Sequence, residues 1–332
     1  MNSFGTLFKV HIFGESHGSN VGVTLDGVPP GIPLTVEEMM VDLKRRQGGN
    51  QKFTTPRKEA DIPLIITGLF NGFTTGAPLT ILFENNNTRS TDYEKQRAFF
   101  RPGHADFVAN KKYNGFEDFR GGGHFSARLT VGIVAAGVIA KKILGNISFS
   151  AAVTNVGGYE DIELGLTKAL EAKDSVGGLI EGKIEHVPIG WGEPFWDSIE
   201  SRLSHAFFAI PAVKGVSFGA GFNAISMMGS QHNDTFEDEY GSGTSNHAGG
   251  ILGGISNGRT ITFKLAIKPT ASTPQPQFTF NNETKSMDYL SVKGRHDLCV
   301  ALRAPVIVEA MAAIVMADFK LLAAAQNHYR DI

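Results

Sequence analysis

The sequence predicts a mixed α+β chain, read as one domain over residues 1–332. Three observations carry that reading. Short runs with strand-like alternation are interleaved with helical segments of 3.6-residue periodicity. Two long apolar stretches, near 129–144 and 304–325, are helix-length and predict a buried helical centre. No shift in composition marks a linker between two halves.

Taken in order, Leu7 to Phe13 alternates and predicts a first strand, ending in the polar loop Gly14-Glu15-Ser16-His17-Gly18. Val21 to Leu25 predicts a second strand, closed by Asp26-Gly27-Val28-Pro29-Pro30-Gly31. Thr35-Val36-Glu37-Glu38 is a capping box, and Val36, Met39, Met40 and Leu43 share one face of the helix it opens. Lys44-Arg45-Arg46 in the last turn suits the helix dipole. Leu64–Phe70 and Leu79–Phe83 predict a hairpin around Gly72 and Gly76. Residues 85–103 are polar and aperiodic, as a functional loop or lid would be. A short helix to about Tyr113 follows Arg101-Pro102-Gly103-His104-Ala105-Asp106.

Next comes Arg120-Gly121-Gly122-Gly123-His124-Phe125-Ser126-Ala127-Arg128, fixed to the apolar helix 129–144. Its glycines permit sharp turns and a close approach to a ligand. Ser126 is placed to cap the helix, whose first amides would face an anion. A glycine-rich turn with two surface arginines is the plainer alternative. Further on, Ile147–Val156 and Gly178–Val187 predict strands flanking a helix near 164–173. Phe195, Trp196, Ile199, Leu203, Ala206, Phe207 and Ile210 are spaced for one amphipathic helix ending at Pro211. Val213–Phe218 and Thr260–Ile267 predict strands. Residues 231–244 and 273–282 read as loops, and Pro305 opens the last long helix, to about Gln326.

The chain has a formal net charge of −2, one cysteine (Cys299) and 39 glycines. Nothing basic enough for a nucleic-acid partner appears, nor any disulfide framework or metal-ligand cluster. Neither a signal peptide nor a membrane span is legible at the N-terminus or in the apolar runs, which points to a cytoplasmic protein. There is no P-loop, and Gly14–Gly18 is a poor nucleophile elbow. Gly219–Ala224 succeeds a strand and superficially fits a dinucleotide fingerprint, but Ile225-Ser226-Met227-Met228-Gly229 is a poor helix start. There remains a set of cations in glycine-rich loops: His17, Arg46, Arg101, His104, Arg120, His124, Arg128, Arg295 and His296. Arginine forks hold phosphates and carboxylates, and histidine moves protons near neutral pH. Together they predict a site for a small phosphorylated or carboxylated molecule. His11, His186, His205, His232 and His328 lack such company and read as structural or exposed.

Gly14–Gly18 with Asp26–Gly31, Arg101–Asp106, Arg120–Arg128, Ser245-Asn246-His247-Ala248-Gly249-Gly250 and Gly294-Arg295-His296-Asp297 resemble, in order, the signatures of the chorismate synthase family. The resemblance covers the chain almost end to end. It implies a lyase at the last shikimate-pathway step, on the route to aromatic amino acids. There 5-enolpyruvylshikimate 3-phosphate loses phosphate and its C6 hydrogen by 1,4-anti elimination, with reduced FMN required but not consumed. It also implies a helical layer sandwiched between two antiparallel β-sheets, and a homotetramer. Members differ in whether NADPH reduces their own flavin, and no extra domain here decides it.

By position, the resemblance implies His104 as the acid on the leaving phosphate and His17 as the group managing a proton at the flavin N1/O2 edge. Asp297 would assist at flavin N5. Ser16, Arg46, Lys52, Arg101, Ser126, Arg128 and Arg295 would clamp the substrate. The flavin would lie against His124, Phe125, Ser126, Pro211, Ala212, Gly253, Lys268, Pro269, Thr270, Ala271, Ser272 and Arg295. Two departures stand out. Lys52 replaces an arginine and loses the bidentate fork. His124 replaces an arginine, with Phe125 in place of a small residue, implying altered flavin contacts. A flavin oxidoreductase and a non-catalytic anion- or nucleotide-binding module are the alternatives.

Overall fold

The N-terminal alternation produces an antiparallel sheet in the computed structural model, which describes residues 2–49, 53–54, 59–87, 98–292 and 296–327. Its strands are β1 (Ser3–Phe4), β2 (Lys9–Gly14), β3 (Asn20–Asp26), β4 (Leu64–Thr67) and β7 (Leu79–Glu84), in the order β1-β2-β3-β7-β4. Val21, Val23 and Leu25 of β3 face inward beside Leu79, Ile81 and Phe83 of β7. The predicted hairpin of β4 with β7 forms, with a smaller one, β5 (Leu69–Phe70) and β6 (Phe73–Thr74), at its tip. Helix α1 (Val36–Arg46) begins at the expected capping box: Glu38 N–H donates to Thr35 Oγ1 at 3.3 Å and Thr35 N–H to Glu38 Oε2 at 3.0 Å.

After α2 (Asp106–Lys112), the helix α3 (Thr130–Leu144) is buried at every position except Lys141 and Lys142. A second antiparallel sheet, in the order β10-β13-β9-β8, is built from β8 (Ser148–Val156), β9 (Gly178–Glu185), β10 (Val213–Phe218) and β13 (Ile261–Ile267). Between these lie α4 (Ile162–Glu171), α5 (Ile199–Phe208), the single turn α6 (Gly229–His232), and the small pair β11 (Ile251–Leu252) and β12 (Ile255–Ser256). The hairpin β14 (Gln277–Asn281) and β15 (Ser286–Leu290) precedes α7 (Pro305–Asn327). Helix α3 packs on β2, β3 and β7, while α7 packs on β8 and β9. The two helices meet so closely that a Cβ on Gly137 would lie 2.3 Å from Ala310 Cβ. Buried residues of both sheets and both helices form one hydrophobic cluster.

Three expectations are corrected. Phe195 and Trp196 are not on the amphipathic helix; they form a separate exposed 3₁₀ turn, because Ser198 caps α5 by accepting from Ser201 N–H at 3.1 Å. The loop expected over 273–282 contains β14, whose Phe278 pairs with Tyr289 across the hairpin. Gly219–Ala224 leads into the 3₁₀ turn Gly221–Ser226, not a helix, so it has no dinucleotide geometry.

Candidate active site

Most of the expected site residues line one cavity of about 770 Å³, a size that suits small-molecule ligands. Its walls come from residues 2–4, the end of α1, the 101–105 and 121–130 loops, residues 205–214, 268–272 and 296–303.

His17 and His104 are fixed by the glycine run. Gly121, Gly122 and Gly123 all have positive φ (61°, 84° and 52°). A Cβ on Gly121 would sit 2.6 Å from His17 Cδ2 and 2.9 Å from Ser16 Oγ, and one on Gly122 would sit 3.1 Å from His104 Cε1. The sequence suggests that these glycines bring backbone close to ligands; the structure shows two of them bringing it against the histidines. Gly123 closes the turn, accepting from Ser16 N–H at 3.0 Å. Ser16 is fully buried behind His17 and is not part of the cavity wall. The helix start is also tighter than expected. Ser126 Oγ accepts the Arg128 N–H at 3.3 Å, and a 3₁₀ turn, Ala127–Leu129, precedes α3.

His104 belongs to a charged trio. Its Nδ1 lies 2.6 Å from Asp106 Oδ1, and Asp106 also receives Arg101 Nε at 2.7 Å and Nη2 at 2.8 Å. The short contact identifies Nδ1–H as the donor to Asp106 and leaves Nε2 as the nitrogen available to a ligand. Burial opposes ionisation of Asp106, but the hydrogen bonds from Arg101 and His104 outweigh it and hold the carboxyl well below the usual carboxylate range. Arg101 also donates to Ser272 Oγ at 3.2 Å, which joins this trio to the 268–272 wall.

A second knot holds the other two arginines. Arg46 Nη2 donates to Asp61 Oδ2 at 2.6 Å, and Arg128 Nη1 donates to Asp61 Oδ1. Arg128 also donates through Nε to Asn85 Oδ1 (2.8 Å) and through Nη2 to the Glu84 carbonyl (3.0 Å). The Asn85 amide in turn donates to the carbonyls of Glu15 and Gly18, tying Arg128 to the loop that carries His17. Asp61 is fully enclosed; burial opposes its charge, yet the two guanidinium groups keep it below the ordinary carboxylate range. Burial draws Arg128 down from its ordinary value, with Asp61 opposing.

Asp297 lines the cavity and receives Arg303 Nη1 at 3.0 Å, while Arg303 Nε donates to the Arg46 carbonyl at 3.0 Å. No sequence signal marks Arg303 or Asp61, Asn85 is legible only as the start of the polar 85–103 loop, and Asp106 only as part of a motif. An arginine in Ala-Leu-Arg-Ala-Pro reads as solvated until the fold places it.

The expected flavin-side residues His124, Phe125, Ser126, Pro211, Ala212 and Lys268 to Ser272 share this cavity. Lys268 Nζ donates to the Gly103 carbonyl at 2.8 Å; burial, then Lys214, lowers its pKa. His124, where the chain departs from the family pattern, is anchored: Nδ1 donates to the Gly14 carbonyl at 2.8 Å, and Nε2 is 3.1 Å from Asn2 Oδ1. Ala212 holds φ at +74°, a conformation rare for a side-chain-bearing residue and often found at binding sites. Gly253 sits at the β11–β12 turn, apart from the cavity wall. Lys52 and Arg295 lie outside the described residues, as does His328. His205, read as structural or exposed, is exposed at the cavity edge, with its ring edge-on to Phe4.

The lining is compatible in chemistry with the flavin that the family resemblance implies. Thr270 Oγ1 is buried in its wall without a partner among the described residues. Apolar side chains (Phe4, Ile133, Phe208, Met311 and Ile314) line it together with the cationic cluster. The arrangement offers a flat ring an apolar wall and offers anions a cationic one.

A family model described as chorismate synthase matches residues 8–321. The chain is 61% identical over 328 residues to a chorismate synthase of Chitinophaga pinensis, covering 98% of each chain. It is 43% identical to one from Dehalococcoides mccartyi, covering 97% of each. A chorismate synthase of Thermococcus gammatolerans is 43% identical, over 96% of this chain and 97% of that one. A crystal structure of a chorismate synthase superposes with a TM-score of 0.74 at 26% identity, covering 96% of this chain and 93% of that one.

Proposed function

The chain belongs to the chorismate synthase family, and on that premise we propose that this lyase makes chorismate from 5-enolpyruvylshikimate 3-phosphate by 1,4-anti elimination. The observation that carries the reading is the convergence of Arg46, Arg101, Arg128, His17 and His104 on one cavity that apolar side chains also line. Arg46, Arg101 and Arg128, with Ser126, hold the phosphate and carboxylates, while Ser16 is buried outside the cavity wall. His104 Nε2 protonates the departing phosphate, with Nδ1 braced on Asp106. His17, seated on Gly121, handles a proton at the cofactor's edge, and Asp297, braced by Arg303, serves the C6 hydrogen's departure. Reduced FMN, held by His124 to Ser126, Pro211, Ala212 and Lys268 to Ser272, would lend electron density to the elimination and recover it.

Incubated without oxygen with reduced FMN and the phosphorylated substrate, the protein should release chorismate and phosphate in equal amounts with no net flavin oxidation. Absence of both products sinks the proposal. His17→Ala and His104→Ala should each lower turnover by roughly 10²–10⁴ with smaller changes in binding. Bleaching of FMN by NADPH with the purified protein, under the same exclusion of oxygen, tests NADPH as reductant.

The proposal extends to a single domain over residues 1–332 acting in the cytoplasm, with α3 and α7 in a layer between the two sheets. The α3 contacts to the first sheet and the α7 contacts to the second support that layering. No helix among the described residues is long and apolar enough to cross a membrane. A homotetramer is supported by outward apolar side chains, among them Leu64 and Ile66 on edge strand β4 and Ile62 just before it. Sedimentation showing a monomer at working concentration would overturn that part.

A further inference from the structure

We propose that Asp61 is the positioning residue of the anion clamp, the shared carboxylate that holds Arg46 and Arg128 in place to receive a phosphorylated ligand. The inference rests on the anion-binding reading of the cavity. Arg46 ends α1 and Arg128 precedes α3, so nothing in the helices themselves brings their guanidinium groups together. Asp61 does, with one oxygen to each. Its side chain is fully enclosed, and its backbone holds φ at +50°, which an aspartate adopts only with some strain.

Two like charges buried side by side repel. One carboxylate between them leaves a net charge of +1, enough to attract an anion and small enough to be stable before one binds. The sharing also leaves donors over. A guanidinium has five N–H groups, and Arg128 commits three nitrogens, one N–H each, to Asp61, Asn85 and Glu84. Arg46 commits Nη2 to Asp61, makes only a 3.4 Å contact from Nη1 to Thr130 Oγ1, and keeps a buried Nε without a partner among the described residues. Asp61 therefore takes one N–H of each arginine, and each guanidinium keeps N–H groups that no described residue takes.

The test compares the unmodified protein with Asp61→Asn, Arg46→Gln and the double variant, reading inorganic phosphate affinity by calorimetry and KM and kcat for the phosphorylated substrate. A charge-assisted hydrogen bond corresponds to about 10- to 100-fold in affinity, so D61N should weaken phosphate binding and raise KM by that factor, with a smaller change in kcat. Once Arg46 is gone, D61N should cost less than it does alone, because only Arg128 is then left for Asp61 to hold. An equal loss in both backgrounds, or unchanged phosphate affinity in D61N, overturns the proposal. If D61N does not fold, Asp61→Glu, which keeps the charge but moves it, is read in the same way: a weakened phosphate affinity sustains the proposal, and an unchanged one ends it. Should the unmodified protein bind no phosphate, the anion-site reading itself falls, and the role of Asp61 with it.

Discussion

Asp106→Asn isolates the effect of the carboxylate on His104. The substitution keeps the size of the side chain and one carbonyl oxygen, but removes the charge. In the structure Asp106 makes a 2.6 Å contact with His104 Nδ1 and takes two N–H groups of Arg101, at 2.7 and 2.8 Å. The asparagine oxygen can still accept from Arg101, whereas the amide nitrogen can no longer accept the Nδ1 proton. His104 thus loses the partner that fixes its tautomer and balances its positive form, while Arg101 keeps part of its seat. One charge-assisted hydrogen bond contributes about 1.5–3 kcal/mol, so kcat should fall roughly 10- to 100-fold. KM should rise by less than about fivefold, since Arg101 stays within reach of the ligand.

The assay tracks chorismate and phosphate under anaerobic conditions with reduced FMN, giving kcat and KM separately. Circular dichroism confirms the folded fraction. The reasoning also requires non-additivity: with His104→Ala already present, D106N should remove less than about twofold more, because its route to the chemistry is gone. A kcat within about twofold of the unmodified protein would refute the coupling. So would a full additional loss in the double variant, which would mean that Asp106 acts by some route other than His104.

Gly137→Val forces a branched side chain into the α3–α7 contact, where even a Cβ would meet Ala310 at 2.3 Å; a loss of at least about 1–3 kcal/mol should appear as a lower urea midpoint. Asp318→Ala removes the acceptor for the backbone N–H groups of Thr6, Leu7 and Phe8 and for Arg202. It should lower stability by about 2–4 kcal/mol in chemical denaturation and raise KM, because Asn2, Ser3 and Phe4 form one cavity wall. Asp61 and Asp106 both have folded pKa values below their unfolded ones. Each contributes stability that is complete above about pH 5 and is lost as pH falls through the folded value. The Tm difference between the unmodified protein and D106N should therefore be flat from about pH 6 to 8 and shrink below about pH 4.

Periodicity makes the scaffold legible. The all-round apolarity of 130–144 announces the buried α3, and Thr35 with Glu38 announces α1, because both signals are local. Local signals also mislead. Apolar spacing extends α5 back to Phe195, but Ser198 is the residue whose side chain satisfies a free helical N–H, so the helix begins after it. Pro274 and Pro276 obscure an alternation that Phe278 and Phe280 supply against Tyr289 and Met287. The family resemblance gathers the histidines and the arginines on loops, and the cavity brings most of them together. The carboxylates and amides that brace them stay hidden in the sequence. Asp61 reaches Arg128, 67 positions away, and Arg303 reaches back to the carbonyl of Arg46. No local pattern distinguishes such a residue from a solvated one.

The bracing explains how so cationic a cavity can exist before its ligand arrives. Arg46 and Arg128 share Asp61, and Arg101 is forked onto Asp106. An unpaired buried charge is penalised by several kcal/mol, so three uncompensated guanidinium groups would cancel much of the stability of an ordinary domain. One carboxylate per one or two arginines removes that penalty without exhausting the donors, because guanidinium offers five N–H groups and a carboxylate occupies at most two of them. The arginines are then already oriented when an anion enters, and the ordering entropy is lost in folding, not in binding. The glycine run completes the same logic from the backbone side. Gly121 and Gly122 set the rings of His17 and His104 against main chain, where they cannot swing, so proton-handling groups and anion-holding groups are fixed by the same loop.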